Sequence, residues 1–177
     1  MVFNAIPSKE ECIKILEKYK TPTQVIEHCL LVTKIAENFC NKISEAKRDI
    51  VIAGAMLHDI GRSVTHSISH AVKGVQILEG EKLHPQILAI VKNHIGTGIT
   101  KEEAIKLGLP AEDYIPRTIE EIIVSYSDNL ATGSRKCSFE EKLQEFENKF
   151  GHQSHVVKGF FKQKEIIEDS VLKARKK

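Results

Sequence analysis

The chain contains the apolar run Ile50-Val51-Ile52-Ala53-Gly54-Ala55-Met56-Leu57, which ends directly at the polar pair His58-Asp59. An imidazole and a carboxylate at the end of a segment with the composition of a buried helix lose their hydration, so they need a partner that offsets this loss. A divalent metal ion satisfies both groups, because mixed nitrogen and oxygen donors suit Mn, Fe, Co, Ni or Zn. The pair therefore predicts a metal site at the end of a core helix.

Further candidate ligands lie within or at the edge of apolar helical patterns: His28 upstream, and His70, His94 and Asp128 downstream. Taken alone, each has a structural explanation, such as a core histidine bonded to protein, or a helix C-terminus where His58 favours the dipole. An ionised Asp128 beside an apolar stripe needs a cation or several donors. Because these residues fall on successive predicted helices, their joint occurrence favours one metal site inside a helical bundle.

The composition limits the class of protein. With 177 residues, of which 41% are hydrophobic, the chain is long enough for one globular domain with a sizeable core. The net charge of +2 is too small to predict a nucleic-acid partner, and no apolar segment approaches the roughly 20 residues that span a bilayer. The four cysteines form no CxxC pair, which excludes a zinc knuckle and fits a reducing compartment. We therefore expect a cytoplasmic protein without membrane or nucleic-acid partners.

Helix start patterns precede almost every segment, whereas strand patterns are nearly absent. Ser8-Lys9-Glu10-Glu11 is a capping box, and Thr21-Pro22-Thr23-Gln24 places a proline at the first helical position. The predicted helices cover about 8–19, 21–40, 45–58, 70–78, 84–94 and 100–108, a helix from 118 that carries Asp128, and one or two stretches within 138–175. Gly61 is expected to stop the third helix, and 110–116 to form a surface loop. The pattern predicts an all-α fold with a single domain over 1–177.

The order His28, His58-Asp59, Asp128 resembles the H…HD…D motif of the HD superfamily of metal-dependent phosphohydrolases. Leu57-His58-Asp59-Ile60-Gly61 matches the HDIG subgroup within it. The resemblance covers about 21–131, and the whole chain looks most like small archaeal HDIG-domain proteins. It implies a helical bundle of the HD-domain type and the hydrolysis of a phosphate ester or anhydride of a nucleotide or related small molecule.

Two further motifs are similar to the extra ligands of binuclear members, namely His70-x-x-x-Gly74 and Asn93-His94. Such members include HD-GYP cyclic-dinucleotide phosphodiesterases and HD-type diadenosine tetraphosphate hydrolases. The resemblance implies a first metal held by His28, His58, Asp59 and Asp128, and a second held by His70 and His94, with Asp59 bridging. The chain departs from the family pattern in lacking GYP after His94 and in carrying Arg62 where lysine is usual.

The resemblance also implies a mechanism in which metal-activated water attacks phosphorus. Asp59 and Arg62 are then the catalytic residues, and Arg62 could clamp a phosphate through two hydrogen bonds. Lys73 and Arg135 are further candidates for phosphate contacts, with a solvated surface charge as the alternative for each. One or two ions are expected, and the ligand types do not distinguish Mn, Fe, Zn, Ni, Co and Mg.

Two alternatives remain open at this point. One is a metal- and nucleotide-binding sensor of the same fold with weak catalysis, and the other is a helical interaction protein whose histidines are core residues. The expected partner is a small phosphorylated substrate, most simply a nucleotide. The oligomeric state is not predicted by the sequence.

Overall fold

The structure is a computed structural model that describes residues 5–176. Nine α-helices form within this range: α1 Lys9–Lys18, α2 Thr23–Cys40, α3 Arg48–Leu57, α4 His70–Glu79, α5 Pro85–Asn93, α6 Lys101–Lys106, α7 Ile119–Asn129, α8 Phe139–Phe150 and α9 His155–Arg175. A 3-10 turn at Ile60–Ser63 follows α3, and β1 (Ala131–Thr132) pairs with β2 (Arg135–Lys136) in a short antiparallel hairpin. The predicted all-α fold is confirmed. The single domain stays a prediction, and its proposed limits at residues 1 and 177 lie outside the described residues.

Capping side chains account for several helix boundaries. Closed capping boxes start α1, α6 and α8, at Ser8, Thr100 and Ser138. The start of α3 differs from the prediction, because this helix begins at Arg48 rather than near residue 45. The backbone N–H of Lys47 donates to Glu120 Oε1, 3.0 Å away, and this bond ties the N-terminus of α3 to α7. A contact between distant segments thus sets this boundary.

Helix α3 packs against α1, α2, α5 and α7, so neighbouring helices cover it on several sides. This placement explains why α3 has apolar residues on all of its sides. Val51, Ala53 and Met56 point to different sides of the helix, and all three are fully buried. A helix that is apolar all round belongs in a core. The apolar run that ends at His58 is therefore the central element of the bundle.

Two glycines allow the 3-10 turn and α4 to approach each other closely. A Cβ on Gly61 would lie 1.9 Å from the carbonyl oxygen of His70 and 2.6 Å from the backbone nitrogen of Gly74. Helix α3 already ends at Leu57, so Gly61 does not act as its stop. Its role is to let the turn after Asp59 pack directly on the first turn of α4.

A smaller apolar cluster supports the segment after α5. Ile99, Ala104, Leu109 and Tyr114 are buried together, and the backbones of Ile99 and Tyr114 exchange two hydrogen bonds of 3.0 and 2.8 Å. The predicted loop 110–116 is thereby held against the body of the protein. The C-terminal helices α8 and α9 pack on each other, and α9 also packs on α7. None of the helices within residues 5–176 is long and apolar enough to cross a membrane.

Candidate metal centre

The fold brings all six predicted ligands together. His28 lies in α2, His58 directly follows α3, Asp59 precedes the 3-10 turn, His70 opens α4, His94 directly follows α5, and Asp128 lies near the end of α7. Four of them, His58, Asp59, His70 and His94, are between 0 and 4% exposed. Buried imidazoles and carboxylates of this kind require partners.

One group of ligand atoms surrounds Asp128. Its Oδ1 lies 2.9 Å from His28 Nε2 and 3.5 Å from His58 Nε2. These three residues offer ligand atoms that all lie within 4.8 Å of one another. They come from α2, from the end of α3 and from α7, which are mutually packed.

A second group surrounds Asp59. Its Oδ1 lies 3.1 Å from His70 Nε2 and 3.5 Å from His94 Nε2, and the two Nε2 atoms are 3.0 Å apart. The other carboxylate oxygen, Oδ2, lies 3.8 Å from His58 Nε2. Asp59 therefore presents one oxygen to each group, as expected of a bridging ligand.

A backbone carbonyl fixes the orientation of each imidazole. The Nδ1 atoms of His58, His70 and His94 lie 2.8 Å from the carbonyl oxygens of Ala55, Ser67 and Val91, and that of His28 lies 2.9 Å from Gly133 O. A carbonyl oxygen can only accept, so each Nδ1 must carry the hydrogen and donate it. In the neutral imidazole the other nitrogen, Nε2, then has a free lone pair. All four lone pairs are directed at the centre.

This arrangement of acceptors is unfavourable without a positive charge. The facing Nε2 atoms of His70 and His94 both lack a hydrogen in their neutral form. Among the described residues, nothing donates a hydrogen bond to the buried atoms His58 Nε2 and Asp59 Oδ1, although Asp59 Oδ1 is close to two imidazoles. A buried acceptor without a donor costs about 1–3 kcal/mol. A cation placed among these atoms would satisfy all of them at once.

The pKa shifts reflect the same concentration of negative charge. Burial opposes a charge on His58, yet the neighbouring Cys29 and the carboxylates of Asp59 and Asp128 raise its pKa well above the usual value. Burial also opposes charge on Asp59 and Asp128, but the surrounding imidazoles hold the pKa of both carboxyls well below the usual range. The pKa of His94 is lowered, chiefly by its burial. The carboxylates are therefore ionised at neutral pH, and the centre attracts positive charge.

The spacing of the donors fits a metal ion. Two nitrogens bound about 2.1 Å from one ion lie about 3.0–3.4 Å apart for bond angles between about 90 and 109°. The 3.0 Å between the Nε2 atoms of His70 and His94 agrees with this range, and the 2.9 and 3.5 Å from Asp128 Oδ1 to its two imidazoles lie just outside its two limits. The His/Asp clusters of this chain could therefore hold a divalent metal. Their donors are those that Mn, Fe, Co, Ni and Zn accept.

The three basic residues proposed from the sequence lie in different surroundings. Arg62 pairs through Nε with Asp59 Oδ2, so it contacts the centre directly. Lys73 donates to Gln76 on its own helix, and the exposed Arg135 pairs with Glu141, 2.9 Å away. Within the described residues, no hydrogen bond or ion pair joins Lys73 or Arg135 to the six ligands.

Several positioning groups were not identified from the sequence. Gly133 O belongs to the turn between β1 and β2, and it orients His28. Asn93, next to His94, donates to Glu121 Oε2 at 2.8 Å and so connects α5 to α7. The adjacent Gly133-Ser134 pair is a weak indication of a hairpin turn. Nothing in the sequence indicates the bond from Asn93 to Glu121, because it joins two separate helices.

Comparison with known proteins gives a consistent family. Residues 25–133 match the model of a family described as HD domain. An uncharacterized protein of Methanocaldococcus jannaschii is 41% identical over 153 residues, which cover 84% of this chain and 90% of that protein. The crystal structure of the HD domain of L. monocytogenes phosphodiesterase PgpH matches with a TM-score of 0.59 and 20% identity, over 92% of this chain and 97% of that one. The last likeness concerns the fold alone.

Two further relatives carry the name tRNA (cytidine(56)-2'-O)-methyltransferase. Those of Picrophilus torridus and Thermoplasma volcanium are 42% and 40% identical over 149 and 144 residues. The alignments cover 84% and 81% of this chain but 43% and 42% of those proteins, so this chain spans less than half of their length. The prediction that nucleic acid is excluded as a partner is wrong on this finding, because relatives of this similarity are named for an action on tRNA.

Proposed function

This chain belongs to the HD-domain family, and from that premise we propose that it is a divalent-metal-dependent phosphohydrolase. The observation that carries the proposal is the convergence of four imidazole Nε2 atoms on the carboxylates of Asp59 and Asp128, with no donor within residues 5–176 for His58 Nε2 or Asp59 Oδ1. Metal ions held by histidine and aspartate side chains activate water and stabilise the negative charge on phosphoryl oxygens in hydrolases of this kind.

Each ligand has a defined part in the proposed centre. His28, His58 and Asp128 would hold one ion, His70 and His94 would contribute to a second, and Asp59 would serve both. An ion bound there would supply a nucleophile at neutral pH, by lowering the pKa of bound water to about 7, and would polarise a phosphoryl oxygen. Burial of His58, Asp59, His70 and His94 excludes bulk water around them, so their charges act through a medium of low dielectric.

In this proposal Arg62 contacts both Asp59, a candidate metal ligand, and the phosphate of the substrate. Its Nε holds Asp59 Oδ2, which fixes the direction of the bridging carboxylate. Its two terminal nitrogens have no partner among residues 5–176 and are left to bind a phosphate oxygen. The side chain is 31% exposed, so a substrate can reach it from solvent.

We propose a nucleotide as the substrate class, either free or as part of an RNA. The names of the two tRNA methyltransferase relatives support an RNA context for this domain, although their activity as whole proteins is not transferred to this chain. The bond to be broken is a phosphate ester or anhydride, since a divalent ion held here would supply activated water and would polarise a phosphoryl group.

The test combines metal analysis with hydrolysis assays on nucleoside monophosphates, dinucleoside polyphosphates, cyclic nucleotides and short RNA oligonucleotides. His58→Ala and Asp59→Ala should each lose bound metal and at least about 100-fold of the activity. His152→Ala is the matched control, because His152 is 77% exposed and pairs only with Glu147 among the described residues. Full activity after exhaustive chelation would contradict the proposal. Tight nucleotide binding without product would support the sensor alternative instead.

A further inference from the structure

A cavity of about 560 Å³ lies beside the segment that follows His94. None of the six metal-ligand candidates lines it, whereas Ile95 and Asn129, the residues directly after His94 and Asp128, do. The cavity is thus a neighbour of the metal centre and is lined by different side chains. Its volume falls within the range of small-molecule sites, about 300–1,000 Å³.

Most of the cavity wall is apolar. Ile68, Ile99, Phe146 and Val156 contribute side chains to it. Leu107 and Phe150 also line it and are 50 and 45% exposed. Large apolar side chains left in contact with water around a concave surface are typical of a binding site rather than of a solvated face.

The wall formed by 95–98 is held in place by neighbouring helices. The carbonyl oxygen of Gly96 accepts hydrogen bonds from Ser125 Oγ and Asn129 Nδ2, both 2.7 Å away. Gln163 accepts from Asn129 and donates to Ser125, so α7 and α9 both contribute to the network. A Cβ on Gly159 would lie 2.5 Å from Thr97 Oγ1. The cavity is therefore preformed, since this segment has no room to collapse into α9.

The charges around the cavity favour an anion. Lys106 and Lys149 line it, and neither forms an ion pair in the described part of the chain. The carboxylate in the wall is already engaged, because Glu103 Oε1 lies 2.8 Å from His155 Nε2 and its Oε2 accepts from Thr100 N at 2.9 Å. The two lysine ammonium groups remain available to a negatively charged ligand.

We propose that this cavity is a ligand site, separate from the metal centre, for a small amphipathic anion. The ligand has an apolar body that packs on the isoleucine and phenylalanine side chains, and a single anionic head that pairs with Lys106 and Lys149. Burial of the apolar body provides most of the affinity. The anionic head makes the site selective for charged over uncharged ligands, through partly exposed ion pairs with the two lysines.

The test uses the fluorescent probe 8-anilinonaphthalene-1-sulfonate on the full chain in the presence of EDTA. We expect saturable binding of one probe per chain, displacement by decanoate, and displacement about fivefold weaker by decan-1-ol, which lacks the charge. The same probe binding is expected for His58→Ala, so the result does not depend on whether the protein has hydrolase activity. Probe binding that requires added metal would place the ligand at the metal centre and overturn the proposal.

Matched variants locate the probe. Val156→Phe fills the cavity and should weaken probe binding at least about tenfold, with an unchanged circular dichroism spectrum showing that it folds. Leu172→Phe, on the exposed part of the same helix, should leave it unchanged. Lys106→Gln with Lys149→Gln should remove the preference for decanoate over decan-1-ol, whereas Lys101→Gln with Lys158→Gln should not. Equal probe binding by Val156→Phe and the parent protein would contradict the site.

Discussion

Each histidine of the centre depends on the hydrogen bond at its other ring nitrogen. For His58, His70 and His94 the acceptor is the carbonyl of the residue three positions earlier. Helix ends have carbonyls and amides without intrahelical partners, so an imidazole placed there can bind one of them and turn Nε2 outward. The tautomer that metal binding requires is thus set by local backbone geometry, before any ion is bound.

Metal affinity should fall as the pH is lowered. In the metal-free protein Cys29 and the carboxylates of Asp59 and Asp128 raise the pKa of His58, so a proton competes with the metal for its Nε2. The affinity for Mn²⁺ therefore rises with pH until the pH exceeds the pKa of His58. Below that pKa, the Kd for Mn²⁺ should increase about tenfold for each pH unit lost and each proton displaced. Isothermal titration calorimetry in buffers of different ionisation enthalpy measures both the Kd and the number of protons released. A Kd that stays constant between pH 8 and pH 6, with no proton released, would contradict this prediction.

Arg62→Met should lower the hydrolase activity about 10–100-fold, the usual effect of removing a residue that orients a metal ligand. The variant loses both the bond to Asp59 and the phosphate contact, so kcat and KM should both deteriorate. The matched control is Arg117→Met, which removes an exposed pair with Asp113 of similar spacing, i,i+4, and should have less than a twofold effect. Unchanged steady-state kinetics for Arg62→Met would show that Arg62 has neither role.

The six candidate ligands could be predicted from the sequence because each lies within or at the edge of an apolar helical pattern. This pattern depends only on neighbouring residues, and the helices that it predicts form in the structure. The carbonyl partners, the bond between Asn93 and Glu121, and the pairing of Arg62 with Asp59 could not be found in the same way. These contacts depend on side-chain rotamers and on distances between separate segments, neither of which a residue pattern contains.

The helices contribute to the centre mainly through their ends. His58 and His94 directly follow α3 and α5, and His70 is the first residue of α4. The close packing of the 3-10 turn on α4 fixes how near these imidazoles come. Local start patterns predicted these helices well. The short hairpin of β1 and β2 was missed, because two-residue strands have too few side chains to show an alternating pattern.

Gly61→Ala tests the packing of the 3-10 turn. The added Cβ would lie 1.9 Å from a backbone oxygen, which cannot move as a side chain does. We expect a loss of about 3 kcal/mol in the free energy of unfolding, which lowers Tm by about 6–12 °C, together with weaker metal binding. Differential scanning calorimetry measures the first effect.

Gly80→Ala is the matched control for this variant. Gly80 has a φ of −69° at the C-cap of α4, and a Cβ there would meet its nearest neighbour at 3.6 Å. Its stability should therefore stay within about 1 kcal/mol of the parent or improve slightly. If Gly61→Ala were as stable as Gly80→Ala, the close approach described for the turn would be wrong.

For the whole molecule, the bundle brings together residues that are far apart in the chain, from position 28 to position 128. The HD motif predicted this convergence, and the family match agrees with it. The exclusion of nucleic acid failed for a physical reason: a net charge of +2 sums lysines and carboxylates over the whole surface, whereas an interface depends on how charge is distributed locally. Total charge is therefore a poor guide to partners.

The decisive measurement is the anomalous diffraction of crystals grown with Mn²⁺, recorded on both sides of the manganese absorption edge. We predict anomalous peaks between Asp128 and the imidazoles of His28 and His58, and between Asp59 and the imidazoles of His70 and His94. Crystals soaked in Mn²⁺ at neutral pH that show no peak among these side chains, with their Nε2 atoms hydrogen-bonded to protein or water instead, would contradict the metal centre and the hydrolase proposed from it.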